Sequence, residues 1–273
     1  MLERSLHLLV DFLDRSVPSG LKRRIKQANP RLVDRFYREI TRFTPDRVVD
    51  VRIQGGRLAG RRFFCSLRHQ RSCFLGNFEP QKEAVLVEYL APGKVLFDVG
   101  GHIGYFSLIA ATLVQPKGTV AAFEPSPTNA AQFGQNLAAN PDLAAVIRLE
   151  QTAVADAVGV ASFDRGGNSY VGHLVSGTAT TGLDVTTTSL DTFAHANALW
   201  PDFVKIDAEG AECGICRAAA SAWDPVDELF VETHDSAPCT VDDLLAEPRR
   251  SGLAPVENRG LVLRLTRTGT AVR

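Results

Sequence analysis

"VLFDVGGHIGYFS", Val95 to Ser107, runs an apolar strand into a turn of three glycines and opens a helix beyond it. In a doubly wound α/β sheet the ligand lies outside the carboxyl ends of the strands, and the first strand-to-helix turn brings backbone closest to it. The surrounding chain has the periodicity that such a sheet needs. From Phe78 onward the spacing predicts helix 80–91, strand 95–99, helix 103–114, strand 119–123, helix 128–139 and strand 146–150. The series resumes with strand 202–206, helix 209–220, strand 227–233 and helix 240–251. Strands alternating with helices of about 10–15 residues imply right-handed crossovers and a parallel sheet covered on both faces. "VASFD" and "DVTTTSL" read as extra strands, and "APVEN" with "LVLRLTR" as a hairpin that puts one antiparallel strand at the sheet edge.

Upstream of the sheet the pattern differs. Residues 1–45 have helical spacing broken at Pro18-Ser19-Gly20 and Asn29-Pro30, which predicts two or three short helices. Arg47 to Cys73 is β-like, with Gly-Gly and Ala-Gly as turns, and predicts a small β layer. The expected organisation is therefore an extension over 1–75 and a ligand-binding domain over 76–273. With 273 residues and 45% hydrophobic content the chain can bury a full core. The early apolar run "LHLLV" is too short to span a bilayer, and the acids of "DFLD" interrupt it where a secretory signal would stay apolar, so the expected location is cytoplasmic. Five cysteines, Cys65, Cys73, Cys213, Cys216 and Cys239, are an odd and scattered set, which argues against a disulfide framework and fits a reducing compartment.

The turn itself discriminates between ligands. Gly100 and Gly101 leave room for a ligand against the backbone, Gly104 lets helix and strand pack tightly, and Asp98 can accept hydrogen bonds at the strand tip. A dinucleotide needs glycine at the first, third and sixth places of G-x-G-x-x-G, and aligning Gly101 and Gly104 on the last two puts Val99 first. An acidic residue one βα unit later instead suits S-adenosylmethionine, whose ribose and cationic amino-acid end need acceptors. Glu124 ends the strand "TVAAF" and lies 124 − 100 = 24 positions after Gly100, near the roughly 20-residue spacing at which a carboxylate meets ribose hydroxyls.

These residues resemble the FkbM-type S-adenosylmethionine-dependent methyltransferases. The similarity runs from about Val51 to the C-terminus through "GNFEPQ", "VLFDVGGHIGYFSLIAA", "VAAFEPSPTN", "TTTSLDTF" and "FVKIDAEGAE", of which the last is the most specific. Where the family usually has "DVGAN", this chain has Gly101 and His102. The resemblance implies a Rossmann-like class I methyltransferase sheet with S-adenosylmethionine as cofactor. It implies cofactor contacts from Glu79, Asp98, Gly100, Gly101, His102, Gly104, Tyr105, Phe106, Glu124, Pro125, Thr152, Ala153 and Asp207.

"FVKIDAEGAE" ends a strand and gathers Lys205, Asp207 and Glu209 at the ligand edge; a charged lysine on an apolar strand is costly to bury without an acidic partner. The run lacks the (D/N)-P-P-(Y/F) tetrad with which amino-group methyltransferases hold a nitrogen, so a hydroxyl acceptor is expected. Methyl transfer to a hydroxyl needs a base. In "ELFVETHD", period-two alternation puts Glu232 and His234 on one side, and His234, with a reference value near 6.5, is the expected base. His234, Asp207, Lys205 and Glu209 are thus the expected catalytic residues. No resident metal is expected, although Asp207, Glu232 and His234 are a possible donor set for a divalent ion. "CGIC", Cys213 to Cys216, reads as core filling.

The expected function is O-methylation of a sugar or secondary metabolite. The rivals are a nicotinamide-dependent dehydrogenase and a non-catalytic binding protein on the same fold. The net charge of −1 conceals an asymmetry: residues 21–72 hold 15 Lys/Arg against 4 Asp/Glu, a balance of +11, whereas 73–273 hold 13 against 24, a balance of −11. An acidic carrier protein bearing the substrate fits that basic stretch better than nucleic acid, since its aromatics sit at core-like spacings. A homo-oligomer is also compatible with the sequence.

Overall fold

The computed structural model of the protein describes residues 47–164, 173–175, 182–234, 239–259 and 262–268. The helices expected within residues 1–45 lie outside them. The described chain begins with an antiparallel pair, β1 (Val48–Arg52) and β2 (Arg62–Ser66), which is the expected small β layer. A one-turn helix, α1 (Arg71–Leu75), and then α2 (Pro80–Tyr89) lead into the main sheet.

That sheet contains β3 (Val95–Val99), β4 (Thr119–Phe123), β5 (Ile147–Glu150), β10 (Phe203–Ile206), β11 (Glu228–Glu232), β12 (Leu253–Arg259) and β13 (Val262–Arg267). Its order is β12-β13-β11-β10-β3-β4-β5. The five strands from β11 to β5 are parallel, and β13 runs antiparallel to both its neighbours. This is the expected doubly wound, Rossmann-like α/β architecture. The closing hairpin folds so that the later strand takes the inner place: the antiparallel strand is second from the edge, and β12 is the edge.

Helices α3 (Tyr105–Val114), α4 (Pro127–Ala138) and α5 (Pro141–Ala144) follow β3 and β4. Four shorter strands, β6 (Ala153–Val154), β7 (Gly159–Asp164), β8 (His173–Val175) and β9 (Leu183–Thr188), make a second sheet ordered β6-β9-β7-β8. Helices α6 (Leu190–Asn197), α7 (Glu212–Ala218) and α8 (Val241–Arg250) complete the set. Polar caps fix several of these starts: the Ser126 and Ser189 side chains accept from Asn129 N and Thr192 N, and Thr240 forms a capping box with Asp243. Helix α7 begins three residues later than the sequence predicts. Glu209 (φ 49°) and Gly210 (φ 106°) are in the left-handed region, so helical backbone cannot start before them.

The sheet divides the core in two. Leu96, Val120, Phe203 and Phe230 pack on one face with α3 and the β1–β2 layer, whose Val51, Phe63 and Cys65 share that core. Phe97, Phe123, Val204 and Leu229 pack on the other face with Phe193 of α6, Trp223 and Leu244 of α8. Strand alternation places Asp98, Lys205 and Glu232 in the parity of Leu96, Phe203 and Phe230, hence on the face that α2 and α3 cover. Cys213 and Cys239 form a disulfide with a Cα–Cα distance of 6.3 Å, while Cys65, Cys73 and Cys216 are buried free thiols. Of the two cysteines read as core filling, only Cys216 has that role alone.

Candidate active site

The glycine turn sits between two strand ends. Gly100 (φ 79°) passes so close to β10 that an added Cβ would lie 1.9 Å from the Asp207 carbonyl oxygen. Gly104 (φ 87°) makes room for the Phe133 ring of α4, 2.2 Å from where a Cβ would be. The tight packing expected there is therefore against a neighbouring helix. Four of the turn's N–H groups are spent within the protein. Gly100 N and Gly101 N both donate to the Phe123 carbonyl (3.0 and 2.9 Å), Gly104 N donates to Gly101 O (2.9 Å), and His102 N donates to Glu124 Oε2 (2.8 Å). A pyrophosphate needs such N–H groups free, which sets aside the dehydrogenase reading.

Glu124, 4% exposed, also accepts from Ser126 N (2.9 Å) and Asn129 Nδ2 (3.3 Å) through Oε1. Burial pushes its carboxyl up to about 7 although these donors pull it down. A carboxylate has about four lone-pair sites, so it retains capacity toward the cavity that it lines. His102 (φ 50°) is held neutral, its pKa lowered to about 4 by burial and by Lys205.

Below the turn, Asp98 and Lys205 lie opposite each other in the β3–β10 register. Asp98 is fully buried: Oδ1 is 2.9 Å from Lys205 Nζ, and Oδ2 accepts from Ser107 Oγ at 2.5 Å. Lys205 Nζ also donates to the carbonyls of Gly100 (2.9 Å) and Val99 (3.3 Å). The two charges brace the turn, which supplies the acidic partner that the buried lysine requires.

Lys82 of α2, which motif reasoning did not single out, organises the neighbouring group. Its ammonium, 6% exposed, meets Glu79 at 2.7 Å, Asp207 Oδ2 at 2.8 Å and Glu232. Burial opposes its charge, but Asp207 and Glu79 outweigh burial and raise its pKa. Burial likewise pushes Asp207 up, yet Lys205 and Lys82 hold it below the ordinary carboxylate value. His234 completes the edge. Its Nδ1 donates to Glu212 Oε1 at 2.8 Å, and its Nε2 lies 3.4 Å from Glu209 Oε2 and 3.9 Å from Asp207 Oδ1. The Glu212 hydrogen bond, with help from Glu209, raises its pKa to about 9 against the cost of burial. The resting imidazole thus holds a proton at neutral pH, unlike the free base expected from a value of 6.5. Glu209 is itself raised by burial.

These groups border one cavity of about 400 Å³. Of the expected cofactor contacts, Glu79, Gly100, Gly101, His102, Tyr105, Phe106, Glu124, Pro125, Ala153 and Asp207 line it, as do Lys205, Glu209, Glu232 and His234. Asp98 and Gly104 lie behind the wall, and Thr152 is turned to the second sheet, where its Oγ1 donates to Thr186 O at 2.8 Å. Phe163 and Val154, from the second sheet, close one side. The donor set fits S-adenosylmethionine: Glu124 for ribose hydroxyls, apolar walls for adenine, and carboxylates near a cationic centre.

A doubly wound sheet with an acceptor-lined first turn defines an S-adenosylmethionine-dependent methyltransferase. The model of the Methyltransferase FkbM domain matches residues 98–246, more than half the chain, and the protein belongs to that family. It is 29% identical over 170 residues to the hexuronic acid methyltransferase AglP of Haloferax volcanii, an overlap of 61% of this chain and 67% of that protein. Among solved structures, Methyltransferase FkbM from Methylobacillus flagellatus KT shares 16% identity at a TM-score of 0.44, over 64% of this chain and 43% of that one. The magnesium protoporphyrin IX methyltransferase ChlM of Synechocystis, solved with bound S-adenosylmethionine, shares 11% at 0.43, over 73% and 80%. Among the described residues no helix is long and apolar enough to cross a membrane.

Proposed function

We propose that the protein methylates a hydroxyl of a sugar, sugar acid or similar secondary metabolite. The observation that carries this is the convergence, on one cavity, of Glu124 and the glycine turn with the Asp207, Glu209, Glu232 and His234 group. S-adenosylmethionine, when bound, supplies an electrophilic methyl on a sulfonium. The protein's own residues do the rest. Glu124 accepts from ribose hydroxyls, and Gly100 lets the turn lie against the Asp207 carbonyl, which sets one wall of the cofactor cavity. Lys205, fixed on the turn carbonyls and Asp98, is a positioning residue, while Asp207 and the protonated His234 hold the acceptor hydroxyl and Glu209, whose carboxyl pKa burial raises, takes up its proton. The likeness to a hexuronic acid methyltransferase supports a carbohydrate acceptor.

The basic stretch 21–72 is read as the docking face for an acidic carrier that bears the substrate, and salt-sensitive co-purification of such a carrier would support that role. The function is tested by incubating the protein with S-adenosylmethionine and a panel of glycosides, hexuronic acids and hydroxylated metabolites, then reading methyl gain by mass spectrometry. Methyl gain on a carbohydrate hydroxyl is expected. Gain confined to amines or carbon would overturn the reading.

A further inference from the structure

We infer that Asp207, Glu209 and His234 form a divalent-cation site of the Mn2+ and Mg2+ class at the acceptor end of the cavity. One donor atom from each lies within 4.8 Å of the other two. Two ligands that share an ion at about 2.1–2.2 Å, at ordinary coordination angles, sit roughly 3.0–3.5 Å apart. His234 Nε2 is 3.4 Å from Glu209 Oε2 and 3.9 Å from Asp207 Oδ1. The first separation is long for a charge-assisted hydrogen bond, which closes to about 2.7–2.9 Å, and it matches a ligand pair around an ion, while the second is beyond that range and corresponds to a wider ligand–ion–ligand angle.

A separate feature orients the imidazole for this work. The buried Glu212 carboxylate, anchored by Gly210 N at 3.0 Å and Ala208 N at 3.3 Å, has only acceptors to offer His234 Nδ1. Nδ1 must therefore donate, and Nε2 is directed toward Glu209 and Asp207. A carboxylate behind the outer nitrogen is the usual support of a metal-bound histidine. Charge points the same way. Glu79, Asp98, Asp207, Glu209, Glu212 and Glu232 are six linked carboxylates, against three positive charges, the ammonium groups of Lys82 and Lys205 and the His234 imidazolium, whose Nε2 proton the ion would displace. The one net positive charge of the cofactor does not balance them. Oxygen donors with one imidazole favour a hard or borderline ion. On the methyl-transfer reading, on which this consequence rests, the ion would draw acceptor oxygens, including a carboxylate, into an otherwise repelling acidic edge.

The test uses the purified full chain and Mn2+ alone, with free ion followed by its electron paramagnetic resonance signal. Loss of signal at one ion per chain is expected. Glu209→Gln and His234→Ala should each weaken binding at least tenfold, and Glu212→Gln by about 10- to 100-fold, with S-adenosylhomocysteine affinity preserved. Undiminished free Mn2+ with protein in excess, or equal binding by Glu209→Gln and wild type, would overturn the site. If chelator-treated protein transfers methyl at full rate, the cation inference falls and the methyltransferase reading stands. If Mn2+ binds as expected and no hydroxyl gains a methyl, the site stands and the acceptor assignment falls.

Discussion

Glu124 and Lys82 are both buried charges at the cavity, and they respond to substitution differently because one faces the cavity and the other faces carboxylates. With its pKa raised to about 7 by burial, Glu124 is largely protonated in mildly acidic solution and then offers the ribose a weaker acceptor. Cofactor affinity should fall as pH drops through 7, and calorimetry with S-adenosylhomocysteine between pH 5.5 and 8.5 reads it. Glu124→Gln should flatten that slope and cost about 1.5–3 kcal/mol at the alkaline end, the scale of a hydrogen bond to a charged group; an unchanged slope would remove the ribose role. Lys82→Met leaves Glu79, Asp207 and Glu232 without their shared cation. Breaking a buried pair from one side costs about 3–5 kcal/mol, so urea denaturation should show a loss of that order, and a loss below 1 kcal/mol would mean that solvent already screens the group. Glu124 was legible because strand end and spacing place it. Lys82 was not, because its partner Asp207 is 125 positions away, and nothing local tells a surface helical lysine from one folded over the sheet edge.

At the scale of elements, the turn between β3 and α3 is defined by what each glycine touches. Gly100→Ala meets both a positive φ and the Asp207 carbonyl, and strain plus forced backbone movement should cost about 2–5 kcal/mol and spoil cofactor binding. Gly101 has ordinary φ, and its added Cβ would meet only the Phe133 ring at 3.1 Å and Ala122 at 3.4 Å. Gly101→Ala, which restores the alanine usual in the family, should stay within about 1.5 kcal/mol of wild type and bind S-adenosylhomocysteine normally. Equal damage from both would show that contact, not backbone conformation, governs the turn. The same physics explains which elements could be read from the chain. Apolar strands such as "VLFDV" and "TVAAF" are specified by burial on both faces and fell where expected. Helix α6 was hidden behind "DVTTTSL", because strand β9 ends at Thr188 and the very next residue, Ser189, caps the helix. The start of α7 was misread because Glu209 takes a left-handed conformation that residue type alone does not announce.

For the molecule as a whole, the disulfide is the feature least visible in the sequence, since five scattered cysteines permit many pairings and only the fold brings Cys213 beside Cys239. Cys213 directly follows Glu212, the carboxylate that orients His234, and Cys239 follows His234 in the chain on the way to α8. The bond therefore ties the helix behind the imidazole to the segment that carries it onward. Its sequence separation of 26 corresponds, by loop-closure entropy, to about 3.5 kcal/mol of stabilisation against the unfolded chain. Denatured without reductant, the protein should expose three reactive thiols, those of Cys65, Cys73 and Cys216; with reductant it should expose all five. Reductant should also lower the denaturation midpoint, and Cys239→Ser should make that midpoint insensitive to reductant. Five reactive thiols in unreduced, freshly purified protein would mean that Cys213 and Cys239 stand paired only by proximity, in keeping with a reducing compartment. The hold on the Glu212–His234 edge would then rest on hydrogen bonding and core packing alone.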